Sequence, residues 1–195
     1  MKKTIYLISI LAGVLFLAQS LYVKAEASTE KYAYKVVKTY ENFEVRKYKA
    51  TLFTSVKLGT SDYRQASSQG FSILAGYIFG GNETREKIAM TSPVAMSLGD
   101  SMEVMFMVPK KHTKATLPKP NSSSIEIKEE PEKTVAAIGF GGYANAEKIE
   151  NYKSQLIEAL EKEGIKHTSN FFFLGYNSPY ETTNRLNEVI VELTE

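Results

Sequence analysis

Beyond residue 30 the chain changes hydrophobic period several times. Tyr34 to Lys38, Phe43 to Tyr48 and Thr51 to Lys57 are short runs of β-branched and aromatic residues. Turn signals at Glu41-Asn42 and Lys49-Ala50 separate them, and they predict three strands. From Gly59 the period lengthens. Tyr63, Ala66, Gly70, Ile73 or Leu74, and Tyr77 recur every three or four residues, which predicts a helix. Ser61 is its expected N-cap and Gly80-Gly81 its stop. EKIAMTSPVAM, Glu86 to Met96, fits neither period. Pro93 would break a helix and cannot donate to a sheet ladder, so a loop is expected despite the apolar content. Met102 to Pro109 reads as a strand, and Lys110 to Ser124 as an exposed polar connection.

The second half runs through the same order. Ile125 to Glu129 and Thr134 to Phe140 predict strands, and Gly141-Gly142 a turn. Ala144 to Glu163 predicts a helix with Ile149, Tyr152, Leu156, Ile157 and Leu160 on one face, ended by Gly164. Asn170 to Gly175 and Glu188 to Leu193 complete the strands. MTSPV at Met90 matches YNSPY at Tyr176, with Ser-Pro displaced by 86 residues. MEVMFMV at Met102 matches NEVIVEL at Asn187, displaced by 85. Two strand–strand–helix–loop–strand units in tandem imply a duplicated α+β domain with a pseudo-two-fold axis. Neither unit alone can bury its apolar face. Together their strands form one curved antiparallel sheet or open barrel, flanked by the two helices.

Composition changes this picture at the N-terminus. Lys2 and Lys3 precede 14 apolar-rich residues, Ile5 to Ala18, and an A-x-A pattern at Ala25 to Ala27. This predicts a signal peptide over 1–27, with the domain over 28–195 and an exported, periplasmic or secreted product. Cleavage after Ala25 is the alternative. The apolar run is shorter than the ~20 residues a spanning helix requires, so no stable membrane insertion is expected after processing. Losing residues 1–27 takes three of the 24 basic residues and one of the 22 acidic ones, leaving equal numbers. No electrostatic footprint for nucleic acid remains. With no cysteine, disulfides, thiolate metal sites and a cysteine nucleophile are excluded.

Candidate chemistry is sparse. Ser92 and Ser178 lie outside any G-x-S-x-G elbow, and serine before proline has a turn-forming role. Glu103 and Glu188 occupy matching positions and could in principle form an acid–base pair, but solvent-side positions or bonds to the Ser-Pro loops suit them as well. His112 and His167 are expected on the surface. In the run Phe171 to Phe173, alternation exposes at most one face, which is no patch.

The chain resembles the SOUL / haem-binding protein family in YENFEVRKY, KIAMTSPV, MEVMFMVP, LGYNSPY and RLNEVIVEL, spanning nearly all of it past the leader. The resemblance implies a duplicated barrel with two helices that binds haem or a free porphyrin without catalysis. By position it places the ligand in a shallow apolar groove: Leu74, Tyr77 and Ile78 at the end of the first helix, Arg85 and Lys87 in the next loop, and Met90. Arg85 and Lys87 would meet the propionates. Some relatives place a histidine in the loop entering the first helix. Leu58 to Ser61 supplies none here, so the metal ligand is unassigned, with Tyr or Met as options. The expectation is an exported monomeric carrier, buffer or scavenger of a tetrapyrrole. The alternatives are an effector-type module for another amphipathic small molecule, or a hydrolase using Glu103 and Glu188.

Overall fold

The computed structural model describes residues 29–194, so the signal peptide expected at 1–27 lies outside the described residues. Strands β1 (Tyr34–Thr39), β2 (Glu44–Tyr48) and β3 (Thr51–Leu58) lead into helix α1 (Tyr63–Ile78). Then come β4 (Val94–Leu98), β5 (Met102–Met107), β6 (Ile125–Glu130), β7 (Lys133–Gly141), α2 (Ala146–Lys162), β8 (His167–Gly175) and β9 (Leu186–Leu193). Two expectations change. The first helix is capped by Asp62, whose carboxylate accepts from the Gln65 amide at 2.6 Å, rather than by Ser61. Val94 to Met96 belong to a strand rather than a loop. Pro93 stands just before it, where a missing N–H costs no ladder bond.

All nine strands form one curled antiparallel sheet in the order β1-β2-β7-β9-β8-β4-β5-β3-β6. The duplication is visible in that order. The pairing of β4 with β8, centred on Met96 opposite Phe173, joins two matching halves. Each half holds its own helix, hairpin and return strand. One strand of each unit crosses over: β2 pairs with β7 of the second unit, and β6 with β3 of the first. Each unit therefore completes the other's sheet.

Two apolar clusters follow from strand alternation. On the helix-covered face, Leu74, Tyr77 and Ile78 of α1 and Ile149, Leu156 and Leu160 of α2 pack on Val104, Phe106, Phe140, Phe173 and Val191. On the helix-free face, Tyr32, Tyr48, Phe53, Met105, Leu174 and Ile190 form the second cluster, with Phe172 and Tyr176 against its edge. The run Phe171 to Phe173 is thus used on both faces. Gly70 sets the height of α1. A Cβ there would lie 2.4 Å from Val104 Cγ2, so only glycine allows this approach. Among the described residues no helix is long and apolar enough to cross a membrane.

Candidate functional site

The C-terminal end of α1 is built around Asn82, which is buried. Its Nδ2 donates to the Tyr77 carbonyl at 3.1 Å and the Glu86 carbonyl at 2.8 Å. Its Oδ1 accepts from the Glu86 amide at 3.0 Å and the Thr84 hydroxyl at 3.1 Å. One side chain thus fixes both ends of the 82–86 turn. Gly80 adopts φ 111° as the helix exits, a conformation that favours glycine. The Lys110–Ser124 segment is not a free connection. Leu117 is buried, and the Tyr77 hydroxyl donates to the Pro118 carbonyl at 2.7 Å. Burial, then the Glu86 and Glu83 charges, push the Tyr77 phenol up to about 12.

The six residues proposed from sequence do not line one open slot. Leu74, Tyr77 and Ile78 are buried in the helix-side core, Met90 is half-buried against it, and Arg85 and Lys87 stand in solvent. The open apolar element at this end is Phe79, 66% exposed, which the sequence reading missed. It lies one step past the stripe of Leu74, Tyr77 and Ile78, and that phase was the available signal. Phe71, on the same helix, is also exposed. Arg85 and Lys87 make no ion pair among the described residues, whereas the neighbouring carboxylates face the protein. Glu83 accepts from the Lys119 amide at 3.1 Å, and Glu86 lies 3.8 Å from His112.

Neither histidine is a plain surface residue. His167 Nδ1 is 2.6 Å from the Thr168 carbonyl, and its ring meets Phe171 edge-on. The His112 side chain is 7% exposed, and its Nε2 has no hydrogen-bond partner. Among the described residues no group of three or more ligating side chains could hold a metal ion.

The helix-free face carries a polar network. Arg46 Nη1 donates to Glu188 at 2.8 Å, its Nε donates to Glu44 at 2.8 Å, and the Tyr176 hydroxyl donates to Glu188 at 2.6 Å. Burial works against the Arg46 charge, but Glu188 and Glu44 outweigh it and hold the guanidinium above its ordinary pKa. Glu103 accepts from Lys128 at 3.1 Å and leaves its Oε1 unpaired. Glu103 and Glu188 are buried rather than solvent-side. They share a face but not a site: β8 and β4 lie between their strands, a separation of roughly 14 Å at sheet spacing. The Tyr32 hydroxyl and Ser55 Oγ are also buried without partners here. Tyr48 OH lies beside Arg46 and Tyr176, which influence its titration, yet makes no hydrogen bond of good geometry.

Two further surfaces differ in character. Arg185 donates to the Ser178 and Glu181 carbonyls and lies 4.4 Å over the Tyr143 ring, beside exposed Tyr180. A groove of about 240 Å³ between the β1–β2 turn and α2 is lined by Glu41, Glu158, Glu163 and one lysine, Lys162. That rim repels a dianionic ligand, so the open groove and the cationic loop are different places.

The chain is thus a duplicated half-barrel whose first helix ends in an exposed aromatic ring, followed by a loop that carries two exposed cations. The comparisons specify the class. Residues 29–192 match the family model described as SOUL heme-binding protein, and the chain belongs to that family. It is 29% identical over 157 residues to "Heme-binding protein 2" of Mus musculus, covering 76% of each chain. In fold it is similar to the EcmrR C-terminal domain, at TM-score 0.62 and 11% identity over 83% of this chain and 98% of that one. A Listeria innocua structure titled as a hydrolase matches at TM-score 0.57 and 12% identity, over 86% and 100%. At such identities these two matches speak for the fold alone.

Proposed function

We propose that the protein binds haem or a closely related tetrapyrrole at the C-terminal end of α1, as an exported, monomeric, non-catalytic carrier, buffer or scavenger. The macrocycle lies against Phe79 and the edge of Met90, and the propionates reach Arg85 and Lys87. Leu74, Tyr77 and Ile78 support this surface from beneath. The observation that carries the reading is an exposed aromatic ring at the exit of α1, with the following loop packed back on that exit and carrying two exposed cations that make no ion pair among the described residues, in a chain of this family. His112 bears on the fit to an iron porphyrin, since its buried Nε2 sits beside the same loop without a partner. Iron would offer such a nitrogen a coordination partner.

Hemin titration tests the proposal, followed by the Soret band and by quenching of tyrosine fluorescence. The wild type gives a saturable shift at micromolar or lower hemin. Phe79→Asp weakens it by roughly 10- to 100-fold, because covering an aromatic ring contributes about 1.5–3 kcal/mol. Arg85→Ala with Lys87→Ala costs only about 1 kcal/mol, since exposed ion pairs are weak. No response to either hemin or protoporphyrin refutes the proposal. Export is tested separately by N-terminal sequencing of the mature protein.

A second reading draws on the helix-free face, where Tyr32, Ser55 and Glu103 leave buried polar atoms unpaired. An amphipathic small molecule taking those bonds would make the domain an effector-type module. Thermal protection of the wild type by such a ligand, lost in Tyr32→Phe, with no hemin binding, would favour it.

A further inference from the structure

We propose that His112 is an axial ligand for porphyrin iron at the end of α1, and that the Glu86 side chain is its movable cover. The inference rests on the tetrapyrrole reading above. His112 sits in the turn after β5, where its amide donates to the Pro109 carbonyl at 2.9 Å. Its side chain is 7% exposed, yet Nε2 donates to nothing and accepts from nothing. Leaving a buried imidazole nitrogen unpaired is costly, so a site that tolerates it has a use for the lone pair or proton. Glu86 Oε1 lies 3.8 Å away, beyond hydrogen-bond range, and that side chain is 43% exposed.

The Glu86 backbone cannot move as its carboxylate can. Asn82 clamps its N–H at 3.0 Å and its C=O at 2.8 Å. Asn82 also bridges to Pro120 of the segment that carries His112. The backbone of the 82–86 turn is thus tied to both loops, while among the described residues the Glu86 carboxylate is held only by its 3.8 Å approach to His112. On this proposal the Glu86 side chain swings towards water and uncovers Nε2 beside the loop that carries Arg85 and Lys87. In that arrangement Nε2 would offer its lone pair to a porphyrin iron. Arg85 and Lys87, on either side of Glu86, would meet the propionates.

The experiment compares ferric hemin with metal-free protoporphyrin IX on the purified protein, on His112→Ala and on Glu86→Ala. Wild type prefers hemin. His112→Ala loses hemin affinity by at least about tenfold, ~1.4 kcal/mol, and shifts the Soret band, while protoporphyrin affinity stays unchanged. Added imidazole restores the band in this variant. Glu86→Ala binds hemin several-fold more tightly, with protoporphyrin unaffected. The inference is overturned if His112→Ala keeps the wild-type hemin spectrum, or if it loses hemin and protoporphyrin equally, which would mark a packing role. It is also overturned if Glu86→Ala weakens hemin binding. A wild type that binds neither porphyrin defeats the tetrapyrrole reading itself, a result distinct from any of these.

Discussion

Helix α1 contains two interior glycines, and the structure assigns them opposite roles. A Cβ at Gly76 would meet nothing within 4 Å. A Cβ at Gly70 would lie 2.4 Å from Val104 Cγ2, 2.7 Å from Val104 Cβ and 3.1 Å from Leu58 Cδ1. Both substitutions to alanine gain the same helix propensity, about 1 kcal/mol. Gly76→Ala should therefore stabilise the protein by about that amount. Gly70→Ala must also displace Val104, a β-branched side chain fully buried in a central strand, at an overpacking cost of about 1–3 kcal/mol. The difference between the variants isolates the packing term, because propensity cancels. Urea unfolding at 25 °C measures it. With a slope near 2 kcal/mol per M, a 2 kcal/mol gap separates the midpoints by roughly 1 M. If Gly70→Ala is as stable as Gly76→Ala, α1 does not sit on β5 at this height, and the placement of Phe79 at its end falls with it. Adding Val104→Ala removes the nearest contact but keeps the Cβ, so the Gly70→Ala penalty should shrink without vanishing.

Three other perturbations probe the remaining parts. Glu188→Ala leaves Arg46 buried beside Glu44 alone and should cost about 3–5 kcal/mol, whereas Arg46→Met with Glu188→Leu and Tyr176→Phe should cost far less; equal losses in urea melts would refute a buried, mutually dependent pair. Alkaline titration should unfold the protein progressively. The Tyr77 and Tyr48 phenols are pushed up to about 12 from 10.0, chiefly by burial. Their contribution is therefore complete below pH 10 and lost as pH rises towards about 12. Tyr77→Phe removes its share of this slope, and a melting temperature flat from pH 9 to 12 would contradict the burial. Hemin binding by Phe79→Asp indistinguishable from wild type would remove the proposed ligand surface.

Much of the candidate site was illegible for a specific reason. The family resemblance placed Arg85, Lys87 and Met90 by the helix end. Exposure could not be read, because the stripe that marks Leu74, Tyr77 and Ile78 as apolar is the same stripe that buries them. His112 looked like a surface residue in PKKHT, and only the fold of 108–124 over the end of α1 encloses it. Glu103 and Glu188 looked alike by position, and burial with separate cations distinguishes them from an exposed pair.

Local chemistry in the chain determined its elements and their duplication. Alternation specified strands, three-and-four spacing specified both helices, and repeated Ser-Pro and strand motifs specified two units. Those signals act within a few residues, so they are present in the linear order. Tertiary structure alone decided that β2 and β6 exchange partners between the units, since hydrogen-bond pairing across 80 or so residues leaves no local mark. It also decided which polar groups went underground. An ion pair such as Arg46 with Glu188 exists only once strand order sets β2 and β9 on either side of β7, on one enclosed face where each charge must find its partner.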